Sequence, residues 1–194
     1  MLAQVFGGLD ETIWRWWADL DVAWVHTLAR AVSQTGTQAV LLPAAVFAGI
    51  AVWVASRRVL PAFAPWIAVQ VDAVLVARLK SGLDIARPPL EQMVRPVRSP
   101  AFPSGHTANT TALLVAVAVV VAATGSAGTR SRVRLLALVG AVAMGWSRLA
   151  LNVHWFSDVV GGWVLGAVVG TVIARLLMWP GGRKGRANGA EPSQ

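Results

Sequence analysis

The chain has 194 residues, of which 56% are hydrophobic and 13% charged, with no cysteine and a net charge of +8. A soluble domain carries roughly a quarter charged residues, so this composition argues against a water-facing globule, and the missing cysteine excludes disulfides and thiolate chemistry. All but two of the 17 basic residues are arginine, and many stand at the ends of apolar runs. That fits membrane flanks and a phosphate site better than a nucleic-acid surface, which carries its charge on a soluble face.

In chain order, residues 1–36 interleave Asp10, Glu11, Arg15, Asp19, Asp21 and Arg30 with Trp14, Trp16, Trp17 and Trp24. This segment is too charged to span a membrane and predicts an amphipathic helix lying in the headgroup layer, His26 included. It lacks the basic start and apolar core of a secretory signal. Apolar stretches of spanning length, roughly 17–25 residues, follow at about 38–55, 62–79, 104–123, 133–149 and 158–179. Runs such as Leu113 to Ala123 have no polar face, which a soluble core helix would need. The predicted class is therefore all-α, a polytopic membrane helix bundle of about five transmembrane helices plus an N-terminal interfacial helix. Its parts are an interfacial segment over 1–36, a transmembrane domain over 37–179 and a disordered cytoplasmic tail over 180–194.

Loop charge predicts the orientation. Arg57 and Arg58, then Arg130, Arg132 and Arg134, then Arg183, Lys184 and Arg186 fall on one side, which the positive-inside rule makes cytoplasmic. The Arg- and Pro-rich link at 80–103 and the link at 149–157 then face outward, and so does the N-terminus. The predicted location is the cell (inner or plasma) membrane, with the site on the extracytoplasmic side.

Three clusters fall on that outer face. They are Lys80-SGLDIA-Arg87-Pro88, Pro103-Ser104-Gly105-His106, and Ser147-Arg148-LALNV-His154-WFS-Asp158. Read from the residues, they make a phosphate site. Lys80, Arg87 and Arg148 can surround a dianion, with guanidinium forks matching its oxygens. Ser104 and Gly105 begin the third span, where free N–H groups and the helix dipole favour an anion. His154 and Asp158, four residues apart, share a face if helical. Asp158 then orients one imidazole nitrogen and leaves the other free to attack phosphorus. His106 suits the acid that protonates the leaving oxygen and then the base that activates water. Singly, each is ordinary: a helix-start histidine, snorkelling basic flanks, an N-cap, a Pro-Ser-Gly turn. Convergence from three separated segments argues for function, as does the cost of ionisable groups at a membrane edge.

The three clusters resemble the signature of the type-2 phosphatidic acid phosphatase superfamily, which also includes vanadium haloperoxidases. That pattern is Lys, six residues, Arg-Pro; Pro-Ser-Gly-His; and Ser-Arg, five residues, His, three residues, Asp. All its fixed positions occur here in order, and the resemblance covers roughly 38–179. It implies a metal-independent hydrolase with a phosphohistidine intermediate on His154. It also implies phosphate binding by Lys80, Arg87, Ser104, Gly105 and Arg148, acid–base work by His106, and orientation of His154 by Asp158. Many membrane members have six spans, and on this reading the chain lacks the first.

No cofactor is expected. No cluster has zinc-like spacing, and Asp158 is alone in its cluster, without a second carboxylate beside it for magnesium. Asp72, inside the second span, is expected to pair with Arg78 or Arg148, or else to line a lipid path. Arg95 and Arg98 are candidates for contacting a second phosphate, and are otherwise solvated loop charges. The expected partners are a lipid phosphate substrate and membrane lipids, with no nucleic acid and no obligatory protein partner. The expected substrate is a polyprenyl diphosphate such as the undecaprenyl carrier of wall synthesis, with phosphatidylglycerol phosphate or phosphatidate as alternatives. More distant alternatives are a vanadate-dependent oxidase and a non-catalytic lipid-binding or transport protein. Loss of His106, His154 or Asp158 would favour the last, and all three are present.

Overall fold

Residues 2–179 are described by the computed structural model, with side chains from residue 7 onward. The predicted tail at 180–194 lies outside the described residues. In order the helices are α1 (Leu2–Asp19), α2 (Ala23–Thr35), α3 (Gln38–Ser56), α4 (Val59–Ala62), α5 (Ala64–Leu83), α6 (Gly105–Thr124), α7 (Ala127–Ala150) and α8 (Phe156–Met178). No strand occurs among the described residues.

Four of these, α3, α6, α7 and α8, are long and apolar enough to cross a membrane. The remaining predicted span is α5, which has 20 residues but carries Asp72, Arg78 and Lys80. Its polarity is tolerated because α5 packs against α3, α6 and α8, and Asp72 turns inward. The molecule is inverted relative to a soluble protein. Phe47 is 70% exposed and Leu136 67%, while Asp72 is fully buried. An apolar exterior with all backbone bonds closed inside helices is what a bilayer requires.

The closest packing is between α6 and α8, which run parallel. Gly162, Gly166 and Gly170 recur every four residues on α8 and face Ser104, Ala108 and Ala112 of α6 in turn. A Cβ on Gly170 would stand 2.6 Å from the Ala112 carbonyl oxygen, and one on Gly162 would stand 2.9 Å from that of Ser104. Small residues at this spacing let two membrane helices approach backbone to backbone. Alanines 108, 112 and 116 of α6 complete the seam.

The structure departs from the sequence reading in three respects. The N-terminal segment is two helices rather than one, broken at residues 20–22 where Val22 is extended. Nor does all of it lie at the surface. Val25, Ala29 and Ser33 form a buried stripe on α2, and Val25 and Ala29 pack with Met93, Ala150 and Leu151. The fourth predicted span also begins earlier, at Ala127, because the Ser126 side chain accepts from the Thr129 N–H and caps α7 there. Arg130, Arg132 and Arg134 therefore lie on the first turns of α7 rather than in a loop. Finally, Asp72 makes none of the predicted ion pairs, and neither of its carboxylate oxygens has a hydrogen-bond partner among the described residues.

Candidate active site

Chain direction gathers the three motifs at one end of the bundle, where α5 and α7 finish and α6 and α8 begin. The N-termini of two parallel helices thus point their free N–H groups to the same end. The third motif reaches this end through a reversal after α7. Asn152 adopts a left-handed conformation (φ 54°), which asparagine tolerates better than most residues. Backbone bonds from Asn152 N to Leu149 O (2.8 Å) and from Val153 N to Arg148 O (3.3 Å) close the turn. His154 is thereby folded back beneath the 85–101 segment.

His154 is 3% exposed and Asp158 1%. His154 Nδ1 lies 3.1 Å from Asp158 Oδ2, and the same oxygen accepts from the Trp155 N–H at 2.9 Å. On its other side, His154 Nε2 lies 3.2 Å from Arg87 Nη1. A guanidinium can only donate, so Nε2 is the acceptor and the imidazole proton belongs on Nδ1, facing the carboxylate. Burial lowers the His154 pKa well below its usual 6.5, assisted by the positive charge of Arg87, Arg148 and Lys80. The result is a neutral imidazole whose Nε2 lone pair faces the cationic cluster.

The cations converge from separate elements. Lys80, near the end of α5, donates to the Pro100 carbonyl and to that of Ala101 at 3.0 Å. Arg87 donates through Nε to Ser99 O at 2.6 Å and through Nη1 to the Val153 carbonyl. Burial lowers the Arg87 pKa, opposed by the nearby charge of Asp158. Arg148, 6% exposed, donates to the Ser33 hydroxyl of α2, while its Nε has no partner among the described residues. Among the described residues no carboxylate forms a salt bridge with any of the three.

Ser104, fully buried, is the N-cap of α6, and its N–H donates to the Asp158 carbonyl at 3.0 Å. Its hydroxyl accepts from Thr107 at 3.0 Å. This fastens the Pro-Ser-Gly-His segment to the first turn of α8. Gly105 follows, so close to Val76 that a Cβ would meet it at 3.3 Å. His106 lies in the first turn of α6, with its ring facing Gly36 at the end of α2. Eight predicted residues are thus brought to one end: Lys80, Arg87, Ser104, Gly105, His106, Arg148, His154 and Asp158. Arg95 and Arg98 are exposed, and among the described residues neither is hydrogen-bonded to the cluster. His26 stands apart on α2, its Nδ1 3.7 Å from Asp21 Oδ1.

Two contacts escaped the sequence reading, and both come from residues 1–36. One is the Ser33 bond to Arg148. The other is Asp10 of α1, which accepts from the Ser157 N–H at 2.8 Å and its hydroxyl at 2.7 Å, next to Asp158. Neither residue lies in a motif, so only the mixture of acids and tryptophans hinted that the segment had a partner. Beside Asp158 and Pro103 lies a cavity of about 700 Å³ with largely apolar walls, including Leu79, Phe102, Val160, Val164 and Val168. From residue 158 to residue 168 it follows α8 for about 15 Å at 1.5 Å per residue.

The chain is 28% identical over 148 residues to phosphatidylglycerophosphatase B of Bacillus subtilis (strain 168), covering 75% of this chain and 72% of that protein. Its fold is similar to the crystal structure of a transmembrane PAP2-type phosphatidylglycerolphosphate phosphatase from Bacillus subtilis. That match has a TM-score of 0.80 at 24% identity and covers 90% of each chain. It is also similar to the structure of Aquifex aeolicus LpxE, with a TM-score of 0.68 at 23% identity over 86% of this chain and 95% of that one. The PAP2 superfamily model matches residues 63–181, which include all three motifs. The chain belongs to the PAP2 superfamily, as one of its membrane-embedded phosphatases.

Proposed function

We propose that this protein hydrolyses a lipid phosphate through a phosphohistidine on His154, without a metal. The observation that carries the reading is the set of three cations around His154 with, among the described residues, no carboxylate salt bridge to any of them. Such a cluster is costly unless an anion completes it. A phosphoryl group held by Lys80, Arg87, Arg148 and the N-terminus of α6 at Ser104 and Gly105 has its phosphorus within reach of His154 Nε2. Arg87 turns from Nε2 to the phosphate oxygens as substrate binds. Nε2 then attacks, forming an N–P bond while the P–O bond to the lipid breaks, and His106, which carries a proton once the bound phosphate dianion offsets the three cations, protonates the leaving oxygen. Asp158 steadies the resulting imidazolium. In the second step His106 takes a proton from water, the hydroxide attacks phosphorus, and the N–P bond breaks to release inorganic phosphate.

The apolar cavity along α8 suits a lipid tail, so that the headgroup alone enters the polar end. For the headgroup, two observations favour a phosphomonoester such as phosphatidylglycerol phosphate. One is the likeness to the Bacillus phosphatidylglycerophosphatase; the other is that Arg95 and Arg98, the candidates for a second phosphate, are exposed rather than held against the buried cations. The second reading, a polyprenyl diphosphate such as undecaprenyl diphosphate, is favoured by a cavity that follows one helix and so fits a single chain. The motif face is the one opposite Arg57 and Arg58, and by charge asymmetry it is extracytoplasmic in the cell membrane.

The test is phosphate release by the detergent-purified protein in EDTA, from phosphatidylglycerol phosphate, phosphatidate and undecaprenyl diphosphate, beside His154→Ala. Release from one lipid that the variant abolishes is the expected result, and the preferred lipid selects between the two headgroup readings. Release that persists in His154→Ala would overturn the phosphohistidine route, and no release from any of the three would overturn the substrate class.

A further inference from the structure

Arg148 is a long side chain in the last turn of α7, and a guanidinium must be aimed before its fork can match a phosphate. None of its neighbours on α7 is hydrogen-bonded to that fork. The partner found among the described residues is the Ser33 hydroxyl, which accepts from Nη1 across 115 positions of sequence. Ser33 is 9% exposed, on the buried stripe of α2. Three residues on, Gly36 follows the end of α2 against the same site. A Cβ there would meet Met144 Cε at 2.7 Å and His106 Cδ2 at 3.1 Å. The end of α2 therefore touches the phosphate-site arginine through Ser33 and the acid–base histidine through Gly36.

We infer that Ser33 is a positioning residue of the phosphate site, holding the Arg148 fork so that its remaining donors face the substrate. The inference rests on the proposed phosphoryl site. It makes the end of α2 part of the active site rather than a surface anchor. A hydroxyl suits the task because its oxygen accepts from the guanidinium without adding a negative charge. A carboxylate at the same position would pair with Arg148 and compete with the substrate phosphate.

A double-mutant cycle in the full-length, detergent-purified protein tests this, with inorganic phosphate as the probe of the anion site. Ser33→Ala removes the acceptor. Ser33→Cys keeps nearly the same volume but offers only a weak one. Each is expected to weaken phosphate inhibition about tenfold, the scale of a hydrogen bond to a charged group, and to lower kcat/KM by a similar factor. In an Arg148→Gln background, Ser33→Ala should add less than about twofold, since coupled residues are not additive. Ser33→Cys behaving as wild type, or Ser33→Ala costing the same factor with and without Arg148, would each reduce Ser33 to packing and overturn the inference. Phosphate binding by calorimetry reads the same cycle independently of turnover. An inactive wild type that still binds phosphate would therefore refute the substrate class alone, whereas one that binds none would overturn both.

Discussion

His154 gathers most of the site's physics in one side chain. Its Nδ1 is engaged by Asp158 and its Nε2 by Arg87, and its pKa is lowered chiefly by burial and then by the surrounding cations. The imidazole should therefore stay neutral, with Nε2 unprotonated, well below pH 6.5. Spectra of ¹⁵N-histidine-labelled protein, with the signal assigned through His154→Gln, should show no protonation of this ring through pH 6. A titration near 6.5 would contradict the buried geometry. The linked effect on stability has a definite sign. Below 6.5 the unfolded chain takes up a proton that the folded chain refuses. Stability from this group is thus full above 6.5 and is lost as pH falls from there toward the lowered folded value. The motif spacing made the His154–Asp158 pair legible in sequence. Arg87 resting on Nε2 was not legible, because it depends on where the 85–101 segment lies.

Among the helices, the α6–α8 seam controls the site, since α6 carries Ser104 and His106 and α8 carries Asp158. A Cβ on Gly166 would run into the Ala108 carbonyl and come within 2.8 Å of Thr111 Cβ. Gly166→Val should therefore destabilise the fold by about 1–3 kcal/mol, the usual cost of overpacking, and reduce turnover with it. Gly128 has nothing within 4 Å of its Cβ position, so Gly128→Val should leave turnover nearly unchanged. Thermal denaturation in detergent, run beside phosphate release, checks both. Equal effects at the two glycines would mean that the seam is not tightly packed. Glycines at four-residue spacing can be read from the chain, but the helix they face cannot. Residues 1–36 were less legible still. Their charge mixture resembles a surface helix, and the buried stripe of α2 emerges only once α7 is there to cover it.

Across the whole molecule, the end bearing the motifs is opposite the end bearing Arg57, Arg58 and Arg130. That separation matches a bilayer-spanning body with its chemistry at one water boundary. Single cysteines introduced into this cysteine-free chain at Gln92, in the link between α5 and α6 at the motif end, and at Ser131, at the far end, should report the orientation. Both positions are exposed. In intact cells an impermeant thiol reagent should label residue 92 and spare residue 131. The reverse pattern would put the active site in the cytoplasm.

Local and compositional properties were fully present in the amino-acid sequence. Long apolar runs dictate membrane helices because a bilayer leaves backbone groups no other way to be satisfied. Motif spacing dictates which side chains meet at the start of α8, where Asp158 in its first turn reaches back to His154 just ahead of the helix. Other features depend on distant segments meeting, and no local pattern encodes them. Asp72 is one case: the sequence offered it arginines nearby, yet packing turned it inward, and among the described residues its carboxylate has no hydrogen-bond partner. Ser33 is the other. It becomes a partner of Arg148 only because α2 folds along α7, bringing together residues 115 positions apart. Composition and spacing determined the fold class and the motif residues, whereas tertiary packing decided how those residues are held, because aim and burial depend on neighbours remote in sequence.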